Sequence, residues 1–99
     1  MTSASAPLHE LTVALGQLAE AVEHRQEDTV ARRLQATPTL CRTRAPQQPQ
    51  DRQALLEDLA HRLEVWASVW PRLGQDPGFR QAVAREARLW ATKLRGGTH

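Results

Sequence analysis

Large apolar residues recur at steps of three and four positions through the first third of the chain. The residues that form this pattern are Leu8, Leu11, Leu15, Leu18, Val22, Val30 and Leu34. Such spacing keeps one apolar face along an α-helix, and it predicts a first helix over residues 8–36. Pro38 has no amide hydrogen and disfavours a helical residue before it, so a kink or an end is expected at Thr37–Pro38.

A second apolar pattern follows a segment that has no large apolar residue. Residues 42–50 contain two prolines and three glutamines, a composition typical of a linker. Asp51 can cap a helix that begins there, so we expect a second helix over residues 51–70, with Pro71 bending or ending it and Gly74 closing the turn. Its apolar positions are Leu55, Leu56, Leu59, Leu63, Trp66, Val69, Trp70 and Leu73.

A third helix is predicted over residues 77–95. Asp76 can supply the N-cap oxygen, and Pro77 suits the first helical position because its missing amide hydrogen is not needed there. One face carries the apolar residues Phe79, Val83, Ala87, Trp90 and Leu94. Gly96 and Gly97 predict a C-cap followed by a flexible tail over residues 96–99, and residues 1–7 are predicted to be disordered.

These patterns predict an all-α fold: one domain over residues 8–95, built as an antiparallel bundle of three helices whose first helix is kinked or ends at Thr37–Pro38. Composition favours the same class, because 13 leucines and 15 alanines stand against six valines, one phenylalanine, and no isoleucine or tyrosine. Three short helices bury a thin core. Self-association into a homo-oligomer such as a homodimer, or a bound helix from a partner protein, is therefore expected.

Charge and cysteine content narrow the cellular setting. Charged residues make up 24% of the chain, and no apolar run approaches the roughly 20 residues that span a bilayer. The first residues carry neither a basic segment nor an apolar one of the secretory kind. Cys41 is the single cysteine, so no internal disulfide can form. We therefore expect a cytoplasmic protein that does not insert into membranes.

The residues that usually carry catalysis or metal binding do not form a recognised pattern. No two of the four histidines are four residues apart, and Asp58 with His61 is a single helical i, i+3 pair where a di-iron site uses two. Cys41 adjoins the predicted linker and has no rigid turn beside it. The glycines form no phosphate-binding loop. We expect no enzymatic activity, no metal and no cofactor.

The third helix carries most of the excess positive charge. It bears five cations against Glu86, in a chain of net charge +2. These cations are Arg80, Arg85, Arg88, Lys93 and Arg95. A basic helix of this kind makes a nucleic-acid-binding or transcription-regulating protein an alternative. The helix before it ends in Trp70–Pro71, whereas a DNA-reading helix pair needs a tight turn three or four residues long. A nucleic-acid partner is the weaker hypothesis on this ground.

Three tryptophans allow two interpretations. They can pack in the core, or they can line a groove between the second and third predicted helices, where large aromatic residues contribute strongly to protein interfaces. In the second case the groove would bind an amphipathic helix of another protein. The predicted partner-binding residues are Trp66, Val69, Trp70, Leu73, Arg88, Trp90, Leu94 and Arg95. A further alternative is a subunit that only scaffolds a larger assembly.

Residues 18–40 are similar to a known family. Leu18 to Val30 reads Leu-Ala-Glu-Ala-Val-Glu-His-Arg-Gln-Glu-Asp-Thr-Val, with Leu34 and Leu40 beyond. This stretch resembles the first helix of FliT-type flagellar export chaperones, in which apolar, small and acidic positions precede an aspartate and spaced leucines. The resemblance implies a small cytoplasmic helical bundle that holds a flagellar or type III secretion substrate and keeps its helices from assembling early. It assigns no binding residue.

Overall fold

The computed structural model describes residues 6–96, and residues 1–5 and 97–99 lie outside the described part of the chain. Four α-helices account for most of the described residues: α1 (Ala6–Glu23), α2 (Glu27–Arg44), α3 (Gln50–Leu73) and α4 (Pro77–Gly96). A short 3-10 helix, Ala45–Gln47, joins α2 to α3. Residues 6–96 contain no β-strand. The prediction of an all-α fold is confirmed.

The helices run up and down as an elongated bundle of 42 × 22 × 20 Å. α1 packs against both α4 and α2, and α2 also packs against α3. The contact between α3 and α4 is much smaller than these three, although the two helices are consecutive in the chain. Neighbouring helices therefore pack closely on three sides of the bundle. On the fourth side, α3 and α4 are connected mainly by side chains.

The first predicted helix is two helices, so the expected three-helix bundle has four. α1 ends in a Schellman turn, in which the Gln26 amide donates to the Ala21 carbonyl at 2.9 Å and the Arg25 amide to the Val22 carbonyl at 3.4 Å. α2 then starts with Glu27 and Asp28, whose negative charges suit a helix N-terminus. The sequence conceals this break because neither glycine nor proline marks it.

Two other expected boundaries also move. α2 continues through Pro38 to Arg44, because the buried face that includes Leu34, Pro38 and Cys41 outweighs one missing backbone hydrogen bond. Most of the predicted linker 42–50 is consequently helical. α3 passes through Pro71 to Leu73.

The predicted N-cap is wrong for α3 and confirmed for α4. α3 begins after Pro49, so Asp51 lies in its first turn and is not its N-cap. The predicted cap of α4 is confirmed, since the Phe79 amide donates to Asp76 Oδ2 at 2.7 Å. Of the two predicted unstructured ends, Ala6 and Pro7 begin α1 and Gly96 ends α4. The rest of both ends, residues 1–5 and 97–99, lies outside the described residues.

All four helices contribute to one core, but they contribute side chains of different size. Leucines dominate the buried faces of α1 and α3, whereas α4 buries mainly small residues. The buried apolar residues of α4 are Val83, Ala84, Ala87, Ala91 and Leu94. Small side chains let α4 lie close against α1. Within residues 6–96, no helix combines the length and the apolar character needed to cross a bilayer.

A buried arginine joins the helices at one end of the bundle. Arg80 is 5% exposed, donates to the Val22 carbonyl at 2.7 Å and to the Gly74 carbonyl, and pairs with the Glu27 carboxylate at 3.0 Å. Its guanidinium lies 5.2 Å from the centre of the Trp70 ring. Arg80 thus connects the ends of α1 and α3 and the start of α2 to α4. In the sequence it stood out only as one of five cations of a basic helix.

Substituting Arg80 tests this role. Arg80→Met keeps the apolar stem but leaves the Gly74 carbonyl and the Glu27 carboxylate without this donor, and leaves the Val22 carbonyl with only the long bond from the Arg25 amide. We therefore expect the free energy of unfolding to fall by about 2–4 kcal/mol. Urea unfolding followed by circular dichroism measures the change. Arg95→Met, at an exposed position of the same helix, should alter stability by no more than about 0.5 kcal/mol. Equal losses in the two variants would contradict the structural role.

Candidate functional site

A groove of about 600 Å³ lies between the C-terminal end of α1 and the outer face of α4. We call it the α1–α4 groove. α1 and the turn after it contribute Val22, Glu23 and Arg25, and α4 contributes residues along one side from Pro77 to Thr92. Because α4 packs on α1 through alanines, its neighbouring larger side chains stand beside a shallow channel and do not fill it. The groove therefore follows from the close approach of α4 to α1.

The floor and one wall of the groove are apolar. Val22 and Ala84 are buried beneath it, and Leu89 stands at its side with 55% of its surface exposed. Leu89 is the most exposed large apolar side chain among the described residues. An isolated exposed leucine needs no explanation, but one that borders an apolar channel offers a contact to a second molecule.

The rim of the groove is rich in arginine. Arg25, Arg80, Arg85 and Arg88 line it, against the single carboxylate of Glu23. Arg88 and Glu23 form a two-pronged ion pair in which Arg88 Nη2 donates to Glu23 Oε1 at 2.8 Å. This hydrogen bond lowers the pKa of Glu23 and raises the pKa of Arg88.

Two of these four arginines form no ion pair within the described residues. Arg80 is held by carbonyls and Glu27, and Arg88 by Glu23, whereas Arg25 and Arg85 make no ion pair with any residue of the described chain. Both are exposed and come from different elements, the α1–α2 turn and α4. The groove consequently combines an apolar floor with uncompensated positive charge.

A second depression, of about 500 Å³, follows the thin contact between α3 and α4, and we call it the α3–α4 seam. Leu55, Val65 and Trp90 supply its apolar lining, and Lys93 Nζ sits 4.5 Å from the centre of the Trp90 ring. The remaining lining residues, Asp58, His61 and Arg62, are polar.

Side chains connect the two helices across this seam. The Arg62 Nε and the Glu86 carboxylate are 3.7 Å apart in the middle of the seam, and Arg52 donates to the Leu94 carbonyl at 3.4 Å near one end. This seam is where the sequence predicted the partner-binding groove.

The predicted partner-binding residues do not converge on one surface. Trp66 and Leu94 lie in the core, 6% and 2% exposed, and Trp70 packs between Arg80 and Phe79. Of the whole predicted set, only Trp90 lines the seam and only Arg88 lines the α1–α4 groove.

The remaining members lie near the ends of the two helices. Val69 is half-buried, and Leu73 and Arg95 are exposed. The core interpretation of the tryptophans holds for Trp66, while Trp70 and Trp90 are half-buried.

Sequence reasoning missed the residues that give the α1–α4 groove its character, namely Arg25, Arg85 and Leu89. A signal existed for Leu89, since it is an apolar residue off the main seam of α4 with arginines one and four positions before it. No signal existed for Arg25, because its place in the groove depends on the turn between α1 and α2.

The five cations of α4 do not lie together on one exposed face of the helix. Arg80 is buried and Arg88 is paired, which leaves Arg85, Lys93 and Arg95. At about 100° per residue, the side chains of Arg85 and Lys93 point in directions about 80° apart. Those of Lys93 and Arg95 point in directions about 160° apart, on nearly opposite sides of the helix. The basic helix is therefore less available to phosphates than its sequence suggests.

Residues 6–96 hold no group of three or more histidine, cysteine, aspartate or glutamate side chains placed to bind a metal ion. Cys41 is fully buried, and this burial raises the pKa of its thiol to about 12. A thiol in that state is a poor nucleophile at neutral pH.

Comparison of the chain with protein-family models, with curated proteins and with solved structures finds no match in any of the three. The geometry of the two depressions and the resemblance of residues 18–40 are accordingly what bears on function.

The state of Cys41 can be measured directly. Because the folded protein holds the thiol buried and protonated, we expect a disulfide reagent at pH 8 to label it at least about 100-fold more slowly than it labels the chain unfolded in urea. The absorbance of the released thiolate follows both reactions. Labelling of the folded protein at the rate of the unfolded chain would show that Cys41 is accessible.

Proposed function

We propose that this protein is a non-enzymatic helical bundle that binds an amphipathic helix of another protein in the α1–α4 groove. The observation that carries the proposal is the exposed side chain of Leu89 beside the buried apolar floor of Val22 and Ala84, bordered by polar and charged residues. Apolar anchors inside a polar rim are the usual composition of a helix-binding groove.

Binding of this kind acts by mass action. A partner helix that docks on the folded bundle and not on the unfolded chain stabilises the bundle by about 2.7 kcal/mol at a concentration 100 times its Kd. In turn the bundle covers the apolar face of the partner helix and withholds it from other contacts. No bond is made or broken, so the function requires no catalytic group.

A narrower version of this proposal is an export chaperone that holds a flagellar or type III secretion substrate in the cytoplasm. Its support is the resemblance of residues 18–40 to FliT-type chaperones. In the fold this stretch covers the last turns of α1, the turn after it and most of α2, and it includes Val22 and Arg25 of the groove. The stretch that resembles the family thus contributes to the proposed docking site.

The apolar contact can be tested with a synthetic peptide of about 16 residues that carries leucines along one helical face and glutamines on the other. Replacing Leu89 by serine removes the exposed anchor, so we expect the Kd of the labelled peptide to rise about tenfold or more. Fluorescence anisotropy measures the binding.

Leu73→Ser is the matched control, because Leu73 is also exposed, at 41%, but lies outside the groove. It should bind the peptide like the unsubstituted protein. Absence of binding to the unsubstituted protein would overturn the proposal, and so would an equal loss in the Leu73 and Leu89 variants.

Self-association, which the sequence predicts, fits the α3–α4 seam better than the α1–α4 groove. The seam carries both charge signs, with Asp58 and Glu86 beside Arg62 and Lys93. A two-fold axis places the same surface of two copies face to face, so opposite charges on one patch can pair with their counterparts on the other. Apolar contact would come from Val65 and Trp90. The proposed occupant of the seam is a second copy of this chain.

The oligomeric state tests this pairing. We expect sedimentation equilibrium to show a dimer for the unsubstituted protein and a monomer for Val65→Asp, because a carboxylate would be buried without a partner in the apolar contact. Val13→Asp introduces the same charge at a valine that is 43% exposed and does not line the seam, so it should remain a dimer. An unsubstituted monomer, or dissociation of both variants, would refute the seam as the interface.

A further inference from the structure

The turn between α1 and α2 places an arginine in a backbone conformation that favours glycine. Arg25 has φ of 56°, and it is the sole residue other than glycine with positive φ in residues 6–96. It occupies the position after the C-cap in the Schellman turn, where helices most often carry glycine because a side chain crowds the left-handed backbone. A residue with a Cβ at this position is therefore strained relative to glycine.

Nothing within the described fold offsets this strain. The side chain of Arg25 is exposed, and it forms neither an ion pair nor a hydrogen bond with residues 6–96. Glycine would close the same turn with less strain, so stability does not account for the arginine. The side chain does line the α1–α4 groove, where the one carboxylate, that of Glu23, is paired with Arg88. Strain kept at a position that serves a surface points to a role in binding.

We propose that Arg25 and Arg85 together bind carboxylates of the docked helix, so that the groove selects an acidic amphipathic helix. The inference rests on the proposed function and names the chemistry of its partner. The two guanidinium groups are supplied by two different elements on the rim, and each can hold a carboxylate through paired hydrogen bonds. Arg88 adds little to this attraction for carboxylates, because it already forms an ion pair with Glu23.

The apolar floor distinguishes such a partner from a nucleic acid. A phosphate backbone would bring charge but no apolar face to cover Leu89. An acidic amphipathic helix offers both parts of the match, with leucines for the floor and carboxylates for the two free arginines.

Two peptides and one substitution test the inference. The peptides share the leucine face described above, and one carries glutamates where the other carries glutamines. We expect the unsubstituted protein to bind the glutamate peptide about tenfold more tightly. In Arg25→Gly this preference should fall to about threefold or less, because the glutamate peptide loses affinity while the glutamine peptide binds no more weakly than it binds the unsubstituted protein.

The same substitution should stabilise the protein while it weakens binding. Removing the strained Cβ is expected to raise the midpoint of thermal unfolding by about 2–5 °C. Arg32→Gln, an exposed arginine of α2 outside the groove, changes the net charge by the same amount and should keep the full preference. A gain in stability together with a loss of selectivity is a result that a purely structural role for Arg25 would not produce.

The outcomes separate this inference from the function on which it rests. If neither peptide binds, the proposed function fails. If both bind equally, or if Arg25→Gly weakens both to the same extent, the groove binds helices without reading carboxylates and only the inference is overturned. Displacement of the glutamate peptide by an equal concentration of a single-stranded oligonucleotide would also overturn it, in favour of a phosphate-binding surface.

Discussion

The buried guanidinium of Arg80 is the interaction on which the arrangement of the helices depends. The last carbonyl groups of a helix lack a donor from a following turn of the same helix. Arg80 donates to one at the end of α3, and to one at the end of α1 that otherwise accepts only a 3.4 Å bond from the Arg25 amide. Its charge is balanced by Glu27 at the start of α2. The one side chain of Arg80 thus bonds to three other helices, and these bonds fix the register between the α1–α2 and α3–α4 hairpins. Gly74 belongs to the same arrangement, because a Cβ there would lie 2.7 Å from the Trp70 carbonyl oxygen and 2.9 Å from its ring.

The unequal size of the buried residues explains why the two depressions lie where they do. α4 presents alanines to α1, so these two helices approach closely, and the larger side chains next to the alanines border the α1–α4 groove. α4 makes far less contact with α3 than with α1. Across the α3–α4 seam the long side chains of Arg52 and Arg62 reach a carbonyl and a carboxylate of α4. α4 is therefore held by close packing on one side and by bridging side chains on the other.

Periodicity predicted the helical class and the start of α4, because both depend on local features such as the Asp76 cap. It failed at the α1–α2 turn. Val22 and Val30 are eight residues apart, so an uninterrupted helix and a tight turn give the same apolar pattern, and Arg25 stands where glycine would have revealed the end. At Pro38 the local rule was overruled by burial of the helix face around it. The α1–α4 groove could not be found from the sequence for a related reason: tryptophan spacing does not say whether a ring faces the core, as Trp66 does, or the surface, and the groove includes a turn that the pattern hides.

The proposed docking of an amphipathic helix in the α1–α4 groove would require more of that helix than apolar contact. Covering Leu89 removes water from the rim, and a guanidinium that loses water without gaining an acceptor weakens binding. Arg88 avoids this cost because Glu23 accompanies it, whereas Arg25 and Arg85 have no such companion among the described residues. A helix with a neutral polar face would leave both charges poorly solvated. A helix with carboxylates at the rim turns the same two charges into attraction, and this difference gives the bundle a way to choose among helices whose apolar faces are alike.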